Sequence, residues 1–507
     1  MSHHPNVLFL ITHDVGRSYG CYGKHQVHTP HIDALARSSI VLDGHFCHWP
    51  LCGPARANLF TGCRPLTTCR YNNEPFLPKF RERMGSQFAT LPEHFRNHGY
   101  LTSAVGFVYH DVDDFKSWSL GHWRPPTSEM LENHGKGPRD GLPGRIRGQW
   151  QSPEALNLIR ERWERLQAAG FTERDLEDPR VERQARGPAV ESADVKDEAY
   201  HGGQVASKTI EIIHSLSKDE PFFLAAGFID THLPFWAPKR FWDLYDRDSL
   251  VMPGFLEPPQ GSPEWAMGDS EPAQYYTTHG YERSWTPSVE ESLELLHGRF
   301  AVLSFFDHLV GRILLALEQA GHAENTMVVL TSDHGFHEGE HGYWGKHNLW
   351  DRSLQVPLIL HLPGAMEQEE RVSGLTEHVD IYPTLCELAG LPLPGEFLQG
   401  LSMLHLLSNP RAEGKVAVFA HRKPMWHDRI KAYDIAHSVR TQQYRLTRYL
   451  DESGRNLYTE LFDYAKDSEE RYNFAQDPQY AAVLSDLVEL LNVYLLTLHN
   501  SCHKPLS

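Results

Sequence analysis

Three short apolar runs, each ending in polar residues, constrain this chain most. Residues 6–11 read NVLFLI and lead into THDVGR. Residues 326–331 read TMVVLT and lead into Ser332-Asp333-His334-Gly335. Residues 221–232 read PFFLAAGFIDTH. A strand with one wet face alternates apolar and polar residues, whereas an unbroken apolar strand is covered on both faces. The runs therefore predict strands of a parallel sheet, with ligand-type residues at the carboxyl ends where open α/β sheets bind. Helical spacing at 31–39, 89–99 and 299–321 falls between them, so the expected fold is α/β: a mixed, mostly parallel sheet sandwiched by helices.

A chain of 507 residues can hold one large domain and a smaller one. Composition shifts near 408–414 (SNPRAEG), after which short strand patterns and a helix at 478–498 follow. The division expected is 1–410 and a C-terminal α+β unit over 411–507, built on an antiparallel sheet. Segments 134–200 and 256–290 are charged or punctuated by Pro and Gly and read as insertions. The first predicts a solvated excursion with one helix at 153–168 and flexible flanks.

The formal net charge of −18 disfavours nucleic acid and anionic membranes as partners. The N-terminal run is too short for a signal peptide, and no uninterrupted apolar stretch reaches ~18 residues, so no membrane span is expected. Seven cysteines without a CxxC pair predict reduced thiols in a cytoplasmic protein, with a mature secreted or periplasmic form as the alternative.

The sharpest segment is Leu51-Cys52-Gly53-Pro54-Ala55-Arg56, followed by Leu59-Phe60-Thr61-Gly62. By itself, a Cys at a helix start with Arg56 nearby reads as a thiol of lowered pKa, and equally as a buried structural cysteine. The pattern C-x-P-[SA]-R with x-x-L-x-T-G resembles the signature of the sulfatase family, within the alkaline-phosphatase-like superfamily. The likeness extends through GCYG (20–23), TPHIDALA (29–36), HLPFWAPKRFWDLY (232–245), GEHGYWGKH (339–347) and EHVDIYPTLCELAGLP (377–392), and is greatest to iduronate-2-sulfatase-like members.

The resemblance implies that a formylglycine-generating enzyme converts Cys52 to formylglycine. One hydroxyl of the hydrated aldehyde attacks sulfur and the other expels sulfate. It also implies one divalent metal, Ca²⁺ first and Mg²⁺ or Mn²⁺ next, held by His13, Asp14, Cys52, Asp333 and His334. Arg56 would stabilise the alkoxide and His110 would assist the diol. His232 and Lys346 would bind sulfate and serve the leaving oxygen, and Asn73, with Asn72 as its alternative, would contact the substrate oxyanion. The implied substrate is a small sulfated compound, with a sulfated sugar expected.

Three departures bear on this. The first metal position is His13, where relatives carry Asp; His13 coordinates through a ring nitrogen or orients Asp14. Phe107 stands where relatives carry a lysine that binds sulfate and nucleophile. The two changes compensate in charge, and Arg17 is the candidate replacement cation. Finally, CGPAR with Asn73 also resembles phosphonate monoester hydrolases. The readings left open are therefore a sulfatase, a phosphonate monoester or phosphodiester hydrolase, and an inactive anion-binding paralogue.

Overall fold

Alternate residues of the first strand, Asn6–Thr12, enter different cores. Val7, Phe9 and Ile11 pack into one cluster and Leu8 and Leu10 into another, all fully buried. Helices therefore cover both faces of the sheet, as the unbroken apolar runs require. The computed structural model describes residues 4–110, 114–125, 141–276, 287–364, 369–425 and 432–502.

The central sheet has eight strands in the order 370–372, 40–42, 358–361, 326–332, 6–12, 222–227, 101–106 and 122–123. Strand Leu358–His361 runs antiparallel to both neighbours, and the remaining pairs are parallel. Thr12 pairs with Ser332 and Ile11 with Gly227. That register ends three strands at one level, bringing residues 13–14, 333–334 and the 228–232 turn to one edge.

The long core helix spans Val289–Gln319, starting ten residues before the apolar spacing suggested. The hydroxyl of Ser288 accepts the Glu291 N–H and Glu291 caps in return, so a charged first turn is stable ahead of the apolar face. This helix and Pro478–Leu498 have the length and hydropathy of a membrane span; the apolar window is 72% buried in the first and 22% in the second.

One expectation is corrected. Residues 141–200 are not a solvated excursion. The helix at Pro153–Ala168 forms as predicted, but Ile146, Trp150, Ile159, Trp163 and Leu166 join the core cluster beside the sheet. Strand Val190–Ala193 also pairs with Phe235–Pro238. Charge density concealed a tryptophan-anchored apolar face. Residues 126–140 and 277–286, in the remainder of the two insertions and next to them, lie outside the described residues.

The C-terminal part carries a four-stranded antiparallel sheet in the order 418–422, 435–440, 444–450 and 456–463. The helix Ala481–Cys502 covers it through Leu487, Leu491 and Tyr494. The cysteines at 21, 47, 52, 63, 69 and 386 are free thiols.

Candidate active site

Cys52 opens the helix Cys52–Thr61, every residue of which is buried. Backbone N–H groups of a first turn lack helical partners, so this is an electropositive place for a nucleophile. The sulfur lies 3.4 Å from His13 Nε2 and 3.4 Å from His334 Nε2. Burial alone would raise the thiol pKa, but His13, Lys346 and His334 outweigh it and bring it down to about 6.

The carboxylates interlock around that sulfur. His13 Nδ1 is 2.6 Å from Asp333 Oδ2, and Arg56 Nε donates to the same oxygen at 3.0 Å. Burial opposes a charged His13, yet Asp333, Cys52 and Asp14 carry its pKa up to about 10. Asp14 is held well below the usual carboxylate range despite burial, chiefly by Lys346, whose ammonium donates to Asp14 Oδ2 at 2.6 Å. Its backbone is left-handed, φ 57°, a conformation that costs a non-glycine residue ~1–3 kcal/mol. The Asp14 N–H donates to Asp333 Oδ1 at 3.1 Å, and Arg299 donates to the Asp14 carbonyl at 2.6 Å and the Thr231 carbonyl at 2.7 Å. Arg299 thus ties two strand-end turns together, and nothing in sequence marks an arginine inside an apolar helix for that task.

The donor set fits a divalent metal. Asp14 Oδ1 is buried and has no hydrogen-bond partner among the described residues. It lies 3.3 Å from His334 Nε2 and 3.4 Å from His13 Nε2. Ligand atoms of Asp14, Cys52 and His334 lie within 4.8 Å of one another, as do those of His13, Cys52 and Asp333. With Nδ1 committed to Asp333, His13 presents Nε2 to the cluster, the carboxylate–histidine arrangement common around metals.

His232 Nε2 is 3.7 Å from Asp14 Oδ2, and its ring stacks 5.0 Å from that of His13. Burial and Lys346 push its pKa down to about 3. His110 lies beyond Phe107, ring centroids 5.4 Å apart; burial, then Arg70, His13 and Arg56, keep it neutral. Its Nδ1 is buried without a partner among the described residues. Asn73 rather than Asn72 reaches the Cys52 turn: its Oδ1 accepts the Gly53 N–H at 2.9 Å, whereas Asn72 Oδ1 accepts from the Glu74 N–H.

Two expectations change in detail. The donors of Arg56 go to Asp333 and the carbonyls of Thr12 (3.1 Å), Phe107 and Val108 (3.1 Å), its Nη2 lies 3.3 Å from His13 Nδ1, and the Phe107 ring covers its face at 4.5 Å. Arg56 therefore stands behind His13 and Asp333. Arg17 pairs with Asp43 at 3.1 Å and borders a separate cavity of about 610 Å³ near Lys24 and Arg352, which none of the cluster residues lines.

Glu271, from the second insertion, was missed. Its Oε1 is 3.4 Å from Lys346 Nζ; burial raises its pKa to about 7, offset in part by Lys346. No motif announces it, because its position depends on how the insertion folds back.

A family model described as Sulfatase matches residues 5–391, and the chain belongs to the sulfatase family. A second, described as N-sulphoglucosamine sulphohydrolase, C-terminal, matches residues 339–495. The protein is thus a sulfuric ester hydrolase. It is similar to iduronate 2-sulfatase of Mus musculus, 28% identical over 95% of this chain and 93% of the relative. Among solved structures it resembles one described as a complex with the substrate D-glucosamine-2-N,6-O-disulfate, with TM-score 0.73, 18% identity and 99% coverage of both chains. It also resembles a phosphonate monoester hydrolase from Silicibacter pomeroyi, with TM-score 0.73, 20% identity and coverage of 99% and 96%. At those identities the structures establish the shared fold.

Proposed function

We propose that this enzyme hydrolyses a sulfate monoester on a sugar through formylglycine made from Cys52, with one divalent cation held by Asp14, Asp333, His334 and His13. The observation that carries this is the buried Cys52 sulfur, 3.4 Å from two imidazoles, beside an Asp14 oxygen with no hydrogen-bond partner among the described residues. Formylglycine supplies a geminal diol, one hydroxyl for attack and one for expulsion of sulfate. The bound cation supplies Lewis-acid polarisation of a sulfate oxygen. Carboxylates suit Ca²⁺ and Mg²⁺, and two imidazole nitrogens widen the choice to Mn²⁺.

The side chains do the rest. Lys346 stays an ammonium and shares its charge between Asp14 and an arriving sulfate. His110, kept neutral by burial and nearby cations, is suited to take a proton from the diol. His232 Nδ1 lies 2.5 Å from its acceptor, the Leu233 carbonyl, which fixes the ring with Nε2 toward Asp14. Burial first and then Lys346 depress its pKa; an anionic substrate beside it offsets the Lys346 part and favours a proton on Nε2, which could pass to the leaving oxygen. Arg56 steadies Asp333, the carboxylate that in turn holds His13.

Intact-peptide mass spectrometry of the segment containing Cys52, paired with assays on an aryl sulfate, a sulfated hexosamine, a phosphonate monoester and a phosphodiester, tests this. Formylglycine with sulfate-ester turnover is expected. An unmodified cysteine in protein that turns over sulfate esters would refute the nucleophile. Preferred turnover of the phosphorus esters would move the reading to a phosphonate monoester or phosphodiester hydrolase. Sulfate binding without turnover of any ester would leave an anion-binding paralogue.

A further inference from the structure

A second carboxylate stands against the lysine assigned to sulfate and takes no part in the steps proposed above. Lys346 Nζ donates to Asp14 Oδ2 at 2.6 Å and lies 3.4 Å from Glu271 Oε1. His347 Nε2 also lies 3.6 Å from that oxygen. Glu271 is held there by main chain as well as by charge. Its N–H donates to the Trp344 carbonyl at 2.8 Å. Three residues earlier, Gly268 has a left-handed backbone, φ 88°, and a methyl group on it would lie 2.9 Å from the His347 carbonyl oxygen. The second insertion thus closes onto 344–347 at two points, one of which only a glycine permits. The Glu271 side chain is 10% exposed and that of Lys346 3%, so little water screens the pair.

An anion in that position opposes the binding of another anion, and it does so unequally along the reaction. A sulfate monoester carries one negative charge, whereas the inorganic sulfate released from it carries two. A fixed carboxylate beside the cation that grips the sulfuryl group therefore weakens the product more than the substrate. Lys346 divides its attraction among Asp14, Glu271 and the sulfuryl oxygens, and its hold on the last falls accordingly. We propose that Glu271 is a positioning residue that acts through Lys346: it holds the ammonium from the insertion side and loosens its grip on the sulfate product. Tightening substrate and product alike does not raise turnover, whereas loosening the product does so when release limits the rate. This rests on the sulfate-ester reading.

The test separates charge from shape. Glu271→Gln removes the charge and keeps the shape, and the main-chain bond to Trp344 does not depend on it. Glu271→Asp keeps the charge, one methylene further back. Burial raises the Glu271 carboxyl to about 7, so the comparison is made at about pH 8, where the charge is present. Inorganic sulfate binding to the metal-loaded protein, measured by calorimetry, requires no turnover. Glu271→Gln is expected to bind sulfate roughly tenfold more tightly than wild type, and Glu271→Asp to stay near wild type. On an aryl sulfate, the inhibition constant for sulfate should fall further than KM in Glu271→Gln, with kcat lowered. A residue that only supports the fold would move these the other way, weakening sulfate and raising KM. Sulfate affinity in Glu271→Gln equal to or weaker than wild type overturns the proposal, as does equal tightening in Glu271→Asp. Wild-type protein that binds no sulfate overturns it as well. If Glu271→Gln tightens sulfate but neither protein cleaves a sulfate ester, the reaction reading fails and the loosening of sulfate by Glu271 stands.

Discussion

Two buried charge networks in this molecule look alike, and they differ in whether their buried polar atoms are hydrogen-bonded. Around Asp351, Arg440 lies 3.3 Å away and Arg445 also pairs with it. Glu470 accepts from the Asp351 N–H at 2.9 Å and from Tyr464 at 2.6 Å, and Arg440 lies 3.6 Å above the Tyr464 ring. This network joins the catalytic part to the C-terminal sheet. Like Asp14, Glu470 has a left-handed backbone, φ 55°. Both oxygens of its carboxylate nevertheless accept hydrogen bonds, whereas Asp14 Oδ1 and His110 Nδ1 have no hydrogen-bond partner among the described residues. A closed network is a joint; an open one, with lone pairs held out of water at a cost, awaits a ligand.

The strongest way to break that comparison is at Cys52. Cys52→Ala is expected to remove turnover, on the order of 10⁴-fold or more, because no second group can both attack and expel. Folding should persist, since Ala leaves the helix and its buried neighbours in place. Multiple turnovers by a sequence-verified variant would refute the assignment.

Charge removal in each network should have a different signature. Asp333→Ala should lose bound metal together with activity, and its metal content, read by elemental analysis, is the check; wild-type occupancy in the variant refutes the ligand assignment. Chelated wild type should lose activity likewise and regain it on adding Ca²⁺, Mg²⁺ or Mn²⁺. Arg445→Met instead leaves Asp351 with less compensation and should cost about 3–5 kcal/mol of stability, read by urea unfolding. Its sulfate affinity should match wild type. A loss of sulfate binding there would mean that the joint is part of the site.

Acid tests the C-terminal sheet from another side. His421 Nδ1 and His437 Nδ1 are 2.8 Å apart. Burial, then Arg448 and Lys423, bring the His437 pKa down to about 4. A depressed folded pKa means that the unfolded chain binds the proton first. The stabilisation is therefore full above about pH 6.5 and is lost as pH falls toward 4. At ~1.4 kcal/mol per pKa unit, His437 accounts for about 2–3 kcal/mol of that loss. His437→Gln should flatten the fall of Tm between pH 6.5 and 4; an unchanged slope would remove His437 as the cause.

Much of this was legible in sequence because strand ends are written locally. The apolar runs ending at Thr12 and Ser332 place residues 13–14 and 333–334 by register alone. The nucleophile motif likewise lies within one helix turn. Glu271 and Arg299 were not legible, since each reaches the cluster from a segment whose local pattern is ordinary. The insertion at 141–200 was misread for the related reason that helix charge on one face says little about tryptophans on the other. Arg56 was found, but the assignment of its donors to three backbone carbonyls is a property of packing.

The finest test concerns His13 and Phe107, the pair expected from sequence to compensate in charge. Their rings meet edge to face at 5.3 Å, and Phe107 also covers Arg56 at 4.5 Å. Phe107→Lys alone would set an ammonium against that guanidinium, with no added anion to balance it. His13→Asp alone would add a carboxylate beside Asp14 and Asp333, facing an anionic substrate. Made together, the new charges attract across a short, poorly screened gap, so the double variant should recover part of each loss. A coupling of ~1–3 kcal/mol is expected for neighbours in one network, or about ten- to hundredfold in kcat/KM. A double-mutant cycle on an aryl sulfate measures it. Strict additivity would mean that the ring and the imidazole act independently, and that the charge balance of the pocket is kept by other groups.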